Sequence, residues 1–144
     1  MKKFLILTAI TTASLAVNAQ NKSDNEPYLT KTFSSENISS VVSKTSGGNI
    51  TVTAVNPSES RVEVFVWQNG NRKNALSSNE LKTKIANEYD LDVSVNNGKL
   101  TATATPKNRI TNWKRTLSFS FSIYVPERVS TQLTTSCGNI VLTG

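Results

Sequence analysis

The chain has 144 residues, a net charge of +6, no histidine and one cysteine. The missing histidine removes Ser-His-Asp and Cys-His nucleophilic systems and histidine metal sites, and one thiol cannot build a thiolate cage. A charge of this size is ordinary solubility chemistry, not the concentrated basic face of a nucleic-acid binder, so no nucleic-acid partner, no cofactor and no enzymatic activity are expected.

Met1-Lys2-Lys3 is a short positive start, and Phe4 to Val17 (FLILTAITTASLAV) is an apolar stretch ending in Val17-Asn18-Ala19. This is the layout of a secretory signal peptide over residues 1–19, cut before Gln20. A spanning helix needs about 20 apolar residues, and this run is shorter and dotted with Thr and Ser. No cysteine stands at the cleavage site, so a lipid anchor is not expected. No second apolar run follows, and no transmembrane segment is expected after cleavage. The mature chain, residues 20–144, loses Lys2 and Lys3, which lowers the charge from +6 to +4. Its length suits one domain. The expected location is outside the cytoplasm: the periplasm, the outer surface or the medium.

Residues 20–28 (QNKSDNEPY) are polar and read as a flexible leader, with one β domain over 29–144. Ile50 to Val55 is β-branched. In SRVEVFVWQ, Val62, Val64 and Val66 share one face and Glu63, Phe65 and Trp67 the other. Ser77-Ser78-Asn79-Glu80 fits a capping box, with Ser77 as N-cap and Leu76 and Leu81 around it as a staple. Leu81, Ile85 and Tyr89 follow at four-residue spacing, which predicts a short amphipathic helix over 78–89. Leu91, Val93 and Val95 alternate, Asn97-Gly98 turns the chain, and Leu100, Ala102 and Ala104 alternate again. That is a hairpin with a type I′ turn. In TLSFSFSIYV, period 2 holds over nine residues, with Leu117, Phe119, Phe121, Ile123 and Val125 on the core face.

Lys44 to Thr53 (KTSGGNITVT) and Thr134 to Thr143 (TTSCGNIVLT) share the pattern T-S-x-G-N-I-x-φ-T, where φ is Val or Leu. Each copy reads as a polar tight turn followed by a strand, with Ser46, Gly48, Asn49 and Ile50 matched by Ser136, Gly138, Asn139 and Ile140. A recurring turn and short strand is the mark of a β-solenoid. Two unrelated hairpin turns of similar sequence are the alternative. Cys137 occupies the position of Gly47 and reads as a small packed residue, with pairing between chains left open.

Four segments together resemble the adhesin-like domain family of bacterial envelope proteins, common in Bacteroidetes and related to the head-GIN adhesin-like proteins. They are SGGNITVTA (46–54), RVEVFVW (61–67), residues 76–104 and residues 117–144. The resemblance spans about residues 30–144. It implies a mainly β fold: an antiparallel sandwich-like head with one short helix, leading into the start of a right-handed β-solenoid. It offers no catalytic motif. Its longer repeat region implies that residues 1–144 are an N-terminal fragment, with Ile140-Val141-Leu142 as an open edge through which the chain would self-associate.

Chemistry-bearing clusters are few. Glu88, Asp90 and Asp92 lack the spaced ligands and glycine of a Ca²⁺ loop and read as a solvated helix end and strand start. The segment from Pro106 to Arg115 is the candidate ligand surface: Lys107, Arg109, Lys114 and Arg115 surround Trp113. A tryptophan can stack on a sugar face, and the cations can meet sulfate, phosphate or carboxylate. The alternative is a hairpin loop whose Trp113 folds back on the core. The expected function is an exported adhesin-like binding module of the envelope whose partner is a glycan, a surface polymer or an envelope protein. A non-catalytic structural or envelope-stress accessory protein is the alternative.

Overall fold

The computed structural model describes residues 26–70, 76–109 and 113–144, so the signal segment 1–19 and residues 20–25 of the leader lie outside the described residues. Among the described residues, nine strands form two sheets. They are β1 (Leu29–Thr32), β2 (Ser40–Thr45), β3 (Ile50–Ala54), β4 (Arg61–Gln68), β5 (Tyr89–Asn96), β6 (Lys99–Pro106), β7 (Leu117–Val125), β8 (Ser130–Thr135) and β9 (Ile140–Thr143). One α-helix, α1 (Ser78–Glu88), precedes β5. The first sheet has the order β1-β4-β7-β3-β9 and the second β5-β6-β2-β8.

The alternating patterns form the strands they predict. Leu117, Phe119, Phe121, Ile123 and Val125 are all buried, as are Val62 and Val64 on β4 and Leu100, Ala102 and Ala104 on β6. These residues from both sheets belong to one core cluster, since each sheet has an apolar face that must be covered. The hairpin turn is as expected: Asn97 (φ 51°) and Gly98 (φ 76°) both take the left-handed region. The capping box also forms, with Glu80 N–H donating to Ser77 Oγ and Ser77 N–H donating to the Glu80 carboxylate.

The helix stops one residue short of its predicted end. Tyr89 opens β5 instead, buried, with its ring 5.0 Å from that of Phe119 and its hydroxyl accepting from Leu117 N–H at 2.8 Å. Tyr28, at the end of the predicted leader, is docked: its N–H donates to Val64 O and its side chain packs on the core.

The sheets are mixed, which corrects the expected antiparallel sandwich. Only β1–β4, β4–β7 and β5–β6 run antiparallel. β2 lies parallel between β6 and β8, and β3 lies parallel between β7 and β9. The reason is the crossing after β2. Ser46 to Asn49 carry the chain from one sheet into the other, so β3 cannot fold back beside β2 as a hairpin partner. The next passage through the same two sheets therefore runs in the same direction. Three such passages lie side by side: β6 then β7, β2 then β3, and β8 then β9.

Candidate functional site

Two regions of the fold carry groups that a partner could use. The first is where the passage from β6 to β7 leaves the short crossing of the other two. There a cleft of about 440 Å³ opens beside Asn108, Arg109, Arg115 and Thr116. Leu76, Tyr89 and Pro106 contribute to its walls, as do Gln68, Lys84, Glu88, Asn108, Arg109, Arg115 and Thr116.

Of the predicted cationic cluster, Arg109 and Arg115 are brought to this one cleft, and both are exposed. Lys107 is turned away from it: its ammonium donates to Ala86 O at 2.8 Å and its N–H to Glu88 O at 2.9 Å. It thereby satisfies two carbonyls at the C-terminal end of α1, where a cation is favoured by the helix dipole. Lys114 is exposed in the 3₁₀ turn Trp113–Arg115, and its backbone lies against Gly70, which holds φ at 94°. The side chain of Trp113 and residues 110–112 lie outside the described residues. The acidic trio is dispersed: Glu88 pairs with Lys84 at 2.8 Å, and Asp92 accepts from Ser94 Oγ.

The periodicity of the chain gave no sign of Gln68. Its Oε1 is buried without a hydrogen-bond partner among the described residues, and it lines the cleft. A buried, unpartnered acceptor is costly, and this one is closed to water, so the cleft meets Gln68 through its other atoms. Two arginines on one cleft suit a ligand that carries an anionic group.

The second region is the repeated turn. The two copies lie side by side in register, with Ile50 opposite Ile140 and Thr45 opposite Thr135. Backbones approach so closely here that a Cβ on Gly138 would sit 2.0 Å from Gly48 O, and one on Gly48 would sit 1.9 Å from Phe119 O. Glycine is thus required by contact between neighbouring passages. Asn139 N–H donates to Asn49 Oδ1 at 2.9 Å, and Thr135 Oγ1 donates to Gly48 O at 2.9 Å. Ile50 is fully buried while Ile140 is 43% exposed, because among the described strands β9 is the outermost on its side. Ser46 is half-buried; Ser136, Gly138 and Asn139 are exposed, as is the free thiol of Cys137.

No family model matches the chain, and no curated protein or solved structure does. No helix among the described residues is long and apolar enough to cross a membrane.

Proposed function

We propose that the chain is an exported, adhesin-like binding module of the bacterial cell envelope that takes an acidic glycan in the cleft lined by Arg109 and Arg115. The observation that carries this reading is the convergence of Arg109 and Arg115 on one cleft whose wall also includes Gln68. A uronate or sulfate group meets the guanidinium groups in bidentate fashion. The apolar parts of Leu76, Tyr89 and Pro106 cover the ring. The resemblance to envelope adhesin-like domains and the signal-type N-terminus point the same way. The three parallel passages are consistent with the start of a solenoid, the finer reading of the fold that this resemblance implies.

A glycan array containing matched acidic and neutral sugars tests the proposal. Retention of acidic members is expected, and lost when Arg109 and Arg115 are both changed to Ala. Retention of no acidic glycan, or binding unchanged in the double variant, overturns it. Export is tested separately by the intact mass of secreted material, expected to begin at Gln20. A mass that retains residues 1–19 refutes it.

The in-register stacking of the two T-S-x-G-N-I turns favours a second reading, a non-catalytic structural or accessory envelope protein that works by strand pairing. Co-purification of an envelope protein, with no glycan bound, would select it.

A further inference from the structure

We propose that the cleft selects a zwitterionic sugar, one that carries a free ammonium as well as an acidic group, and that Glu88 receives the ammonium. The inference rests on the reading of the cleft as an acidic-glycan site and adds the second charge of the ligand.

The chain brings opposite charges to one opening by a short route. Tyr89 and Pro106 face each other as the end pair of the antiparallel β5–β6 ladder. Glu88, the last residue of α1, stands one step before Tyr89, and its carbonyl accepts from Lys107 N–H at 2.9 Å. Arg109 follows Lys107 by two residues, so their Cα atoms are at most about 7 Å apart. The backbone itself therefore keeps Glu88 and Arg109 within reach of one small ligand. Both line the cleft together with Arg115.

Glu88 is the one carboxylate among the described residues that line the cleft, and it sits there against local preference. The C-terminal end of a helix carries partial negative charge and favours cations. Yet α1 has no basic residue in its last turn and ends on this glutamate. Compensation comes from elsewhere: Lys84 Nζ meets Glu88 Oε2 at 2.8 Å, and Lys107 Nζ donates to Ala86 O at 2.8 Å. It is incomplete. Glu88 Oε1 has no partner among the described residues, and neither Arg109 nor Arg115 forms an ion pair with it there. The Glu88 side chain is 53% exposed and that of Lys84 only 19%, so the pair presents its acid outward and not its base.

The charge pattern fixes the ligand class. A ligand with anionic groups alone gains nothing from Glu88 and is repelled by it. An ammonium at the same place makes a charge-assisted hydrogen bond to Oε1 and meets the favourable end of the helix dipole. The acidic group of the same ligand then goes to Arg109 and Arg115. A uronic acid linked to an unsubstituted amino sugar carries both groups on adjacent rings.

Three uronic acid–glucosamine disaccharides that differ only at the amino nitrogen test this: the free amine, the N-acetylated form and the N-sulfated form. They are titrated calorimetrically into the full chain at about pH 6, where a free amine of this kind is protonated. The free amine should bind about tenfold more tightly than the N-acetylated form, the worth of one hydrogen bond to a charged group. Glu88→Gln should remove that preference and strengthen binding of the N-sulfated form, a pair of opposite changes that general destabilisation cannot produce. Arg109→Ala combined with Arg115→Ala should abolish binding of all three. Equal binding of the free amine and N-acetylated forms, or tightest binding of the N-sulfated form, overturns the ammonium site and leaves the acidic-glycan reading standing. A free-amine preference that survives Glu88→Gln overturns the assignment of Glu88. Binding of none of the three overturns both readings together.

Discussion

The two copies of the T-S-x-G-N-I turn have nearly the same sequence and different physical situations. The first, in β2 and β3, is enclosed: Val41, Ser43, Thr45, Ile50 and Val52 are all buried, with a parallel neighbour on each side. The second, in β8 and β9, has a neighbour on one side only, and Ile140 and Leu142 stay open to solvent. The same isoleucine is a core residue in one copy and a surface residue in the other. The motif thus specifies a junction between neighbouring passages, and burial follows from how many neighbours are present.

If enclosure sets the energetics, matched substitutions in the two copies should diverge. The largest divergence is expected at the isoleucines. Ile50→Ala should cost about 2–5 kcal/mol through lost transfer energy and a residual cavity. Ile140→Ala should cost less than about 1 kcal/mol, as exposed substitutions mostly do. Denaturant unfolding of both variants measures this, and equal losses would break the comparison.

The glycines come next. Gly48→Ala drives a methyl into Phe119 O, and overpacking of this kind costs about 1–3 kcal/mol or more. Gly138→Ala meets Gly48 O just as closely, yet it can be relieved by release of the outer passage alone. It should speed hydrogen exchange at residues 140–143 while leaving the global midpoint nearly in place. A global loss as large as that of Gly48→Ala would show that β8 and β9 unfold together with the core.

A smaller effect separates the asparagines. Asn49→Ala removes the acceptor of Asn139 N–H and should cost about 1 kcal/mol. Asn139→Ala in the isolated chain should be nearly neutral by thermal melting. The smallest effect is expected at Cys137, exposed at the position filled by Gly47 in the other copy. Cys137→Gly should change stability by less than about 1 kcal/mol. A loss of several kcal/mol would reveal a role for the thiol in packing or in bridging chains.

Much of the secondary structure was legible because its signals are local. Period-2 alternation marked β4 and β7, Asn97-Gly98 marked the hairpin, and Ser77 with Glu80 marked the start of α1. Each follows from sterics or hydrogen bonding within a few residues. The end of α1 was less legible, because Tyr89 fits the helical spacing and its place in β5 depends on Phe119 and Leu117, some thirty residues away. The candidate surface was half legible. A run of cations around Trp113 signalled a basic loop, but the sequence could not tell that Lys107 would close the end of α1 while Arg109 and Arg115 faced a common cleft. Gln68 carried no signal at all, since an isolated glutamine at the end of a strand becomes informative only when its neighbours are known.

By itself, then, the sequence determined a β-rich chain, the inward faces of its main strands, one capped helix, one tight hairpin and a twice-used turn. Those features rest on backbone sterics, side-chain alternation and short-range capping, all of which operate within a few residues. Only the tertiary structure decided that the strands on either side of the repeated turn lie in different sheets, that the sheets are mixed, and that one copy is enclosed while the other is left at an edge. Parallel pairing joins segments as far apart as β3 and β9, and which segments meet depends on where every other strand has already found its partner.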